Sequence, residues 1–135
     1  MGKKVTDFLY EDLSYKIRGC VFSVYNKLGF GHKENIYQKA LAVEFKSRNI
    51  EFITQDSLSI IYSGKTVGMY RPDFTIDGKI IIEIKAVPFM PESHETQLTY
   101  YLKGTNYKLG FLINFGSPTL DIRRRVWTPL SAEIS

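Results

Sequence analysis

The run Asp77-Gly78-Lys79-Ile80-Ile81-Ile82-Glu83-Ile84-Lys85 constrains the fold more than any other stretch of this chain. Asp-Gly accepts the left-handed backbone of a tight turn, and isoleucines in series pack better on a pleated sheet than in a helix. The segment 79–85 is therefore a strand that follows a turn. Side chains alternate along a strand, so Ile80, Ile82 and Ile84 take one face while Lys79, Ile81, Glu83 and Lys85 take the other. A carboxylate and an amine thus lie side by side at the end of a very apolar element, where each costs desolvation energy unless it has a partner or a metal. Alone, Glu-x-Lys on a strand reads as a structural ion pair at a sheet edge. Its meaning depends on what faces it.

Asp73, preceded by Pro72, lies ten residues before Glu83 and across the turn. A two-residue turn at Asp77-Gly78 would pair Ile76 with Lys79 and Asp73 with Ile82, placing Asp73 on the face away from Glu83. A three-residue loop 76–78, with Gly78 left-handed, would pair Thr75 with Lys79 and Asp73 with Ile81. That register returns Asp73 to the face of Glu83 and Lys85. The expectation is this loop, or a bulge of the same parity.

The rest of the chain supplies helices and further strands. Leu13, Ile17, Cys20, Val24 and Leu28 recur at steps of three and four, which predicts a helix over 7–28 ended by Gly29-Phe30-Gly31. A second helix is expected at about 33–48. Residues 51–62 and 66–76 read as two antiparallel strands joined by Ser63-Gly64-Lys65. After the loop Pro88–Pro91, Ser93 is placed to cap a helix that runs to about Lys103 and ends at Gly104. Lys108–Phe115 reads as a buried strand, and Thr119–Trp127 as an added edge strand. The order ααβββαβ, with that final β, predicts a mixed sheet with helices on its faces, an α/β or α+β sandwich forming a single domain over 1–135.

Totals bound the function classes. A chain of 135 residues, 44% hydrophobic and 24% charged, suits one core, and neither a collagen-like nor a disordered composition is present. Cys20 is the only cysteine, so no internal disulfide forms and no Cys/His cluster offers a zinc site; a reducing cytoplasm fits. The first ten residues lack a signal-peptide core, and no apolar run approaches a membrane span. The formal charge of +4, with Arg123, Arg124 and Arg125 in a row, favours a polyanionic partner, although a solvated face is the simpler reading of the arginines.

Two carboxylates converging at a strand end suit Mg2+ or Mn2+, which prefer oxygen ligands, and the carbonyl of Ile84 adds a third oxygen. Such an ion would polarise a phosphodiester while Lys85 orients water and offsets developing charge. Pro72-Asp73 followed by Glu83-Ile84-Lys85 resembles the core of the PD-(D/E)XK nuclease superfamily. Gly31-His32-Lys33-Glu34-Asn35-Ile36-Tyr37 is similar to the signature of the GxxExxY proteins, a branch of that superfamily. Gln97-Leu98-Thr99-Tyr100-Tyr101 resembles the Q-x-x-x-Y motif of RecB-like nucleases. The resemblance implies a restriction-endonuclease-like fold and Mg2+- or Mn2+-dependent cleavage of DNA, with RNA the second choice. It implies Asp73, Glu83 and Lys85 as the core and Glu34 as an acid reaching the metal from its helix.

Several side chains carry two readings. Glu34 shares a helical stripe with Tyr37 and Leu41, but a first-turn acid also answers the helix dipole. Tyr37 reads as a packed aromatic. His94, Gln97 and Tyr101 form one stripe of their helix, with Gln97 and Tyr101 as candidates to contact phosphate or orient Lys85, and His94 as a cap or solvated residue. Arg71 is a further candidate phosphate contact. The rival class is a non-catalytic module that keeps the fold and binds nucleic acid or protein through its basic face; a small-molecule phosphodiesterase is a third. So short a chain would draw specificity from a partner, from homodimer formation or from the shape of its substrate.

Overall fold

The computed structural model describes residues 9–128. Among these residues three helices, α1 (Glu11–Leu28), α2 (Glu34–Ser47) and α3 (Ser93–Thr105), accompany seven strands. These are β1 (Phe52–Thr54), β2 (Leu58–Tyr62), β3 (Lys65–Tyr70), β4 (Phe74–Ile76), β5 (Ile80–Lys85), β6 (Leu109–Asn114) and β7 (Asp121–Val126). A five-stranded sheet runs in the order β1-β4-β5-β6-β7, and β2 and β3 form a separate hairpin. Among the described residues only β5 and β6 pair in parallel, and α3 is the crossover that parallel neighbours need.

The isoleucine run lies at the centre of the sheet, covered on both sides. Ile80, Ile82 and Ile84 pack with Phe74, Ile76, Phe111 and Ile113 against α1 and α2, through Ile17, Val21, Leu41 and Phe45. Ile81 and Leu112 face the other way, toward Leu98 and Leu102 of α3 and Tyr70 of the hairpin. All four isoleucines are fully buried. Each contributes about 1.5–3 kcal/mol by leaving water.

The turn keeps the expected parity but sits one residue later than predicted. Asp77 (φ 52°) and Gly78 (φ 64°) are both left-handed, and Lys79 N donates to Ile76 O at 2.9 Å. The pairs are Ile76 with Ile80, Thr75 with Ile81 and Phe74 with Ile82, so the loop is 77–79 rather than 76–78. Continuing the register places Asp73 opposite Glu83 instead of Ile81. Ile76 is fully buried and stays in its strand, whereas aspartate tolerates the left-handed turn position.

The two long extended segments each break in two, which makes the order ααβββββαββ. Within 51–62, Phe52–Thr54 pairs with β4 in the main sheet while Leu58–Tyr62 pairs with β3. The chain changes sheets at Gln55, which is left-handed (φ 53°), and again at Pro72, which cannot donate to a ladder. The hairpin between them folds over α3. A Cβ on Gly104 would lie 3.0 Å from Ile60 Cγ2, so this glycine serves close packing inside α3, and Asn106 (φ 63°) ends the helix instead. Ser93 is the first helical residue rather than the cap, with no side-chain cap bond before it. The predicted start of α1 at Asp7 falls outside the described residues. Thr119–Trp127 does supply the edge strand β7. Among the described residues no helix is long and apolar enough to cross a membrane.

Candidate active site

Strand β5 outruns its neighbour β4, and the site is built in the gap this leaves. The last pair is Phe74 with Ile82, so Ile84, which turns its backbone groups to the same edge, has no strand partner there. Its N–H is met by a side chain instead, donating to Asp73 Oδ2 at 2.7 Å. Within a strand the N–H and C=O of one residue point to the same edge, so the Ile84 carbonyl also faces this gap. The opposite edge of β5 is occupied, since Lys85 O accepts from Phe115 N at 2.9 Å.

Asp73 and Glu83 hold each other across the gap. Asp73 N donates to Glu83 Oε1 at 3.0 Å, and Asp73 Oδ1 accepts from Gln38 Nε2 at 2.7 Å and more weakly from Gln55 Nε2 at 3.5 Å. Burial, then the neighbouring Asp73 charge, pushes the Glu83 carboxyl up to about 7; the Asp73 N–H, the Lys85 ammonium and the Tyr70 hydroxyl pull the other way. Asp73 is also raised, by burial first, against the opposing effects of the Ile84 N–H and Lys85. Glu34, the first residue of α2, is raised by its partial burial and then by Asp73, and lowered by Lys85. Three carboxylates and one lysine therefore sense one another at one end of the sheet, brought there by α2, the segment before β4, and β5.

The structure brings together Glu34, Asp73, Glu83, Ile84 and Lys85. The other candidates lie further out. Arg71 is exposed and donates Nε to Ser57 Oγ at 3.0 Å. Gln97 is exposed on α3 and makes no hydrogen bond to Asp73, Glu83 or Lys85. The Tyr101 ring lies flat on the Tyr70 ring, with centroids 3.7 Å apart. Tyr37 has the packed role expected of it: it stacks on Phe115 at 4.3 Å, and its hydroxyl donates to Gly29 O and accepts from His32 N. His94 is half-buried rather than solvated, and burial, Lys85 and Arg123 lower its pKa.

Neither reading of the arginine run holds for Arg123 and Arg125. Both point at α3 and pair with the buried Glu95, and Arg123 also binds Asp121 and, at 3.1 Å, Met90 O. Alternation along β7 sends them to the α3 face, where a buried carboxylate demands partners.

Three polar residues around the acids escape a reading of the sequence alone. Gln38 stands one helical turn after Glu34 and could have been found on that stripe. Gln55 and Tyr70 come from the two points where the chain changes sheets, which no local pattern marks.

Among the described residues, no three His, Cys, Asp or Glu side chains cluster as a ready-made metal site. The oxygens that do converge still suit a hard divalent cation. Two carboxylates raised by burial, Glu83 also by the Asp73 charge, with a carbonyl facing the same gap, are groups that a cation would stabilise in ionised form.

A mixed five-stranded sheet flanked by helices, with an acid–acid–lysine set at the end of its central strand, defines a restriction-endonuclease-like fold. The chain belongs to the PD-(D/E)XK nuclease superfamily, whose family model matches residues 11–125. The crystal structure of SSO0001 resembles it with a TM-score of 0.51 at 24% identity, over 74% of this chain and 52% of that one. The chain thus spans about half the length of that relative in fold. No curated protein matches this chain closely enough to count as a relative.

Proposed function

We propose that this protein is a metal-dependent phosphodiesterase of the GxxExxY branch that cleaves DNA, working in the cytoplasm with Mg2+ or Mn2+. The observation that carries this reading is the register of β4 on β5, which sets Asp73 opposite Glu83 with Lys85 on the same face. Asp73, Glu83 and the Ile84 carbonyl would hold the ion, with Glu34 reaching it from α2. When bound, the ion supplies Lewis-acid polarisation of the phosphodiester and activation of water. Lys85 orients the attacking water and offsets charge building on the phosphate oxygens. Gln38 and Gln55 fix the Asp73 carboxylate. Arg71 and Gln97, both exposed, receive the substrate backbone.

The binding-module reading needs Arg123 to Arg125 as a free basic face, and the engagement of Arg123 and Arg125 with Glu95 weighs against it. The deciding experiment presents single-stranded, duplex and branched DNA and RNA, and a small phosphodiester, with Mn2+. Cleavage by the wild type and its loss in Asp73→Asn and Lys85→Ala, with the fold retained, supports the reading. No Mn2+ binding by calorimetry, together with cleavage unchanged in both variants, sinks it.

A further inference from the structure

We propose that the Tyr70 hydroxyl positions the Glu83 carboxylate, and that Tyr101 serves the site through its ring alone, by holding Tyr70 in place. This rests on Glu83 being a site carboxylate, as proposed above. Tyr70 ends β3 just before the chain crosses through Pro72 to Asp73, and it is only 6% exposed. Its hydroxyl is a buried oxygen that completes no hydrogen bond of ordinary geometry. Such an orphan is costly and is rare without a purpose. The acceptor that lies against it is Glu83, which already takes the Asp73 N–H on Oε1 and has lone pairs to spare. A phenol donor here selects one orientation of the carboxylate, a role that a phenylalanine of the same shape could not fill.

The ring is held firmly. It packs among Ile81, Met90, Leu98 and Leu102, and Tyr101 covers it with planes 4° from parallel. The Tyr101 hydroxyl makes no hydrogen bond to Asp73, Glu83 or Lys85. The tyrosine of the Gln97–Tyr101 stripe therefore reaches the acids by way of Tyr70, which an aromatic face achieves without any hydroxyl. Groups that orient metal ligands typically change metal affinity by about 10- to 100-fold when removed.

The test is Mn2+ titration calorimetry on the full chain, paired with thermal unfolding in EDTA, for wild type, Tyr70→Phe, Tyr101→Phe and Tyr101→Leu. Tyr70→Phe should weaken Mn2+ binding about ten-fold or more while leaving the EDTA melting temperature near that of wild type, because without metal the hydroxyl meets Glu83 only in poor geometry. A merely structural hydroxyl would give the reverse pattern. Tyr101→Phe should bind as wild type does, and Tyr101→Leu should resemble Tyr70→Phe. Wild-type affinity in Tyr70→Phe overturns the inference alone, as does a Tyr101→Phe variant as weak as Tyr101→Leu. No Mn2+ binding by the wild type overturns the underlying functional reading and this inference with it.

Discussion

Replacing Glu83 with glutamine should stabilise the metal-free protein at alkaline pH and do almost nothing in acid. Burial and the Asp73 charge push the Glu83 carboxyl up to about 7, against 4.5 for the free side chain. At about 1.4 kcal/mol per pH unit, that rise corresponds to a destabilisation on the order of 3 kcal/mol when the group is charged. The sign follows from proton uptake. Between pH 4.5 and about 7 the folded state holds a proton that the unfolded state has released, so stability falls as pH rises through this window. Below it both states are protonated and the penalty vanishes; above it both are ionised and the penalty is complete. Glutamine carries no charge at any pH and keeps an oxygen for the Asp73 N–H. Urea unfolding in EDTA should therefore show the two proteins equal near pH 4 and Glu83→Gln ahead by up to about 3 kcal/mol at pH 8. Mn2+ at about 1,000 times its Kd should reverse the order at pH 8, since it adds about 4.1 kcal/mol to the protein that binds it. A difference that does not vary with pH, or a variant less stable than wild type at pH 8 without metal, would refute the assignment of burial and Asp73 repulsion as the cause.

Gly116→Ala should be among the most destabilising single-methyl additions, because the new Cβ would fall 2.1 Å from Val87 N and 2.4 Å from Ala86 C, both backbone atoms. A loss of about 3 kcal/mol or more in urea melts is expected, along with displacement of the loop that follows Lys85. Glu95→Gln leaves Arg123 and Arg125 without their shared carboxylate beside α3. It should cost about 3 kcal/mol of stability, while Mn2+ affinity measured by calorimetry stays within about two-fold of wild type, as expected for an ion pair that shares no partner with Asp73 or Glu83.

Much of the element content is legible locally. The helices over Glu11–Leu28 and Glu34–Ser47 follow from apolar residues spaced at three and four, and β5 from an isoleucine run bounded by Asp77-Gly78. The breaks within 51–62 and 66–76 are not legible, because strand propensity is the same whichever sheet a segment joins. Only the availability of β4 for Phe52–Thr54, and of α3 for the hairpin, divides those runs. The arginine run misleads for a related reason: its charge is visible in the sequence, but the buried Glu95 that claims two of its members is brought near only by the crossover of α3.

For the acids themselves, the sequence determines that Glu83 and Lys85 share a face, since alternation along one strand is a property of the backbone. It narrows the position of Asp73 to a choice of parity across the turn. The tertiary structure decides the rest. Burial of Ile76 holds that residue in β4 and moves the loop to 77–79, so that Asp73 meets Glu83 directly. Termination of β4 at Phe74 opens the edge of β5 at Ile84, and packing of α2 and α3 brings Glu34, Gln38 and the Tyr70–Tyr101 stack to that opening. Short-range sterics set which side of a strand a residue occupies, whereas long-range burial sets what it finds there.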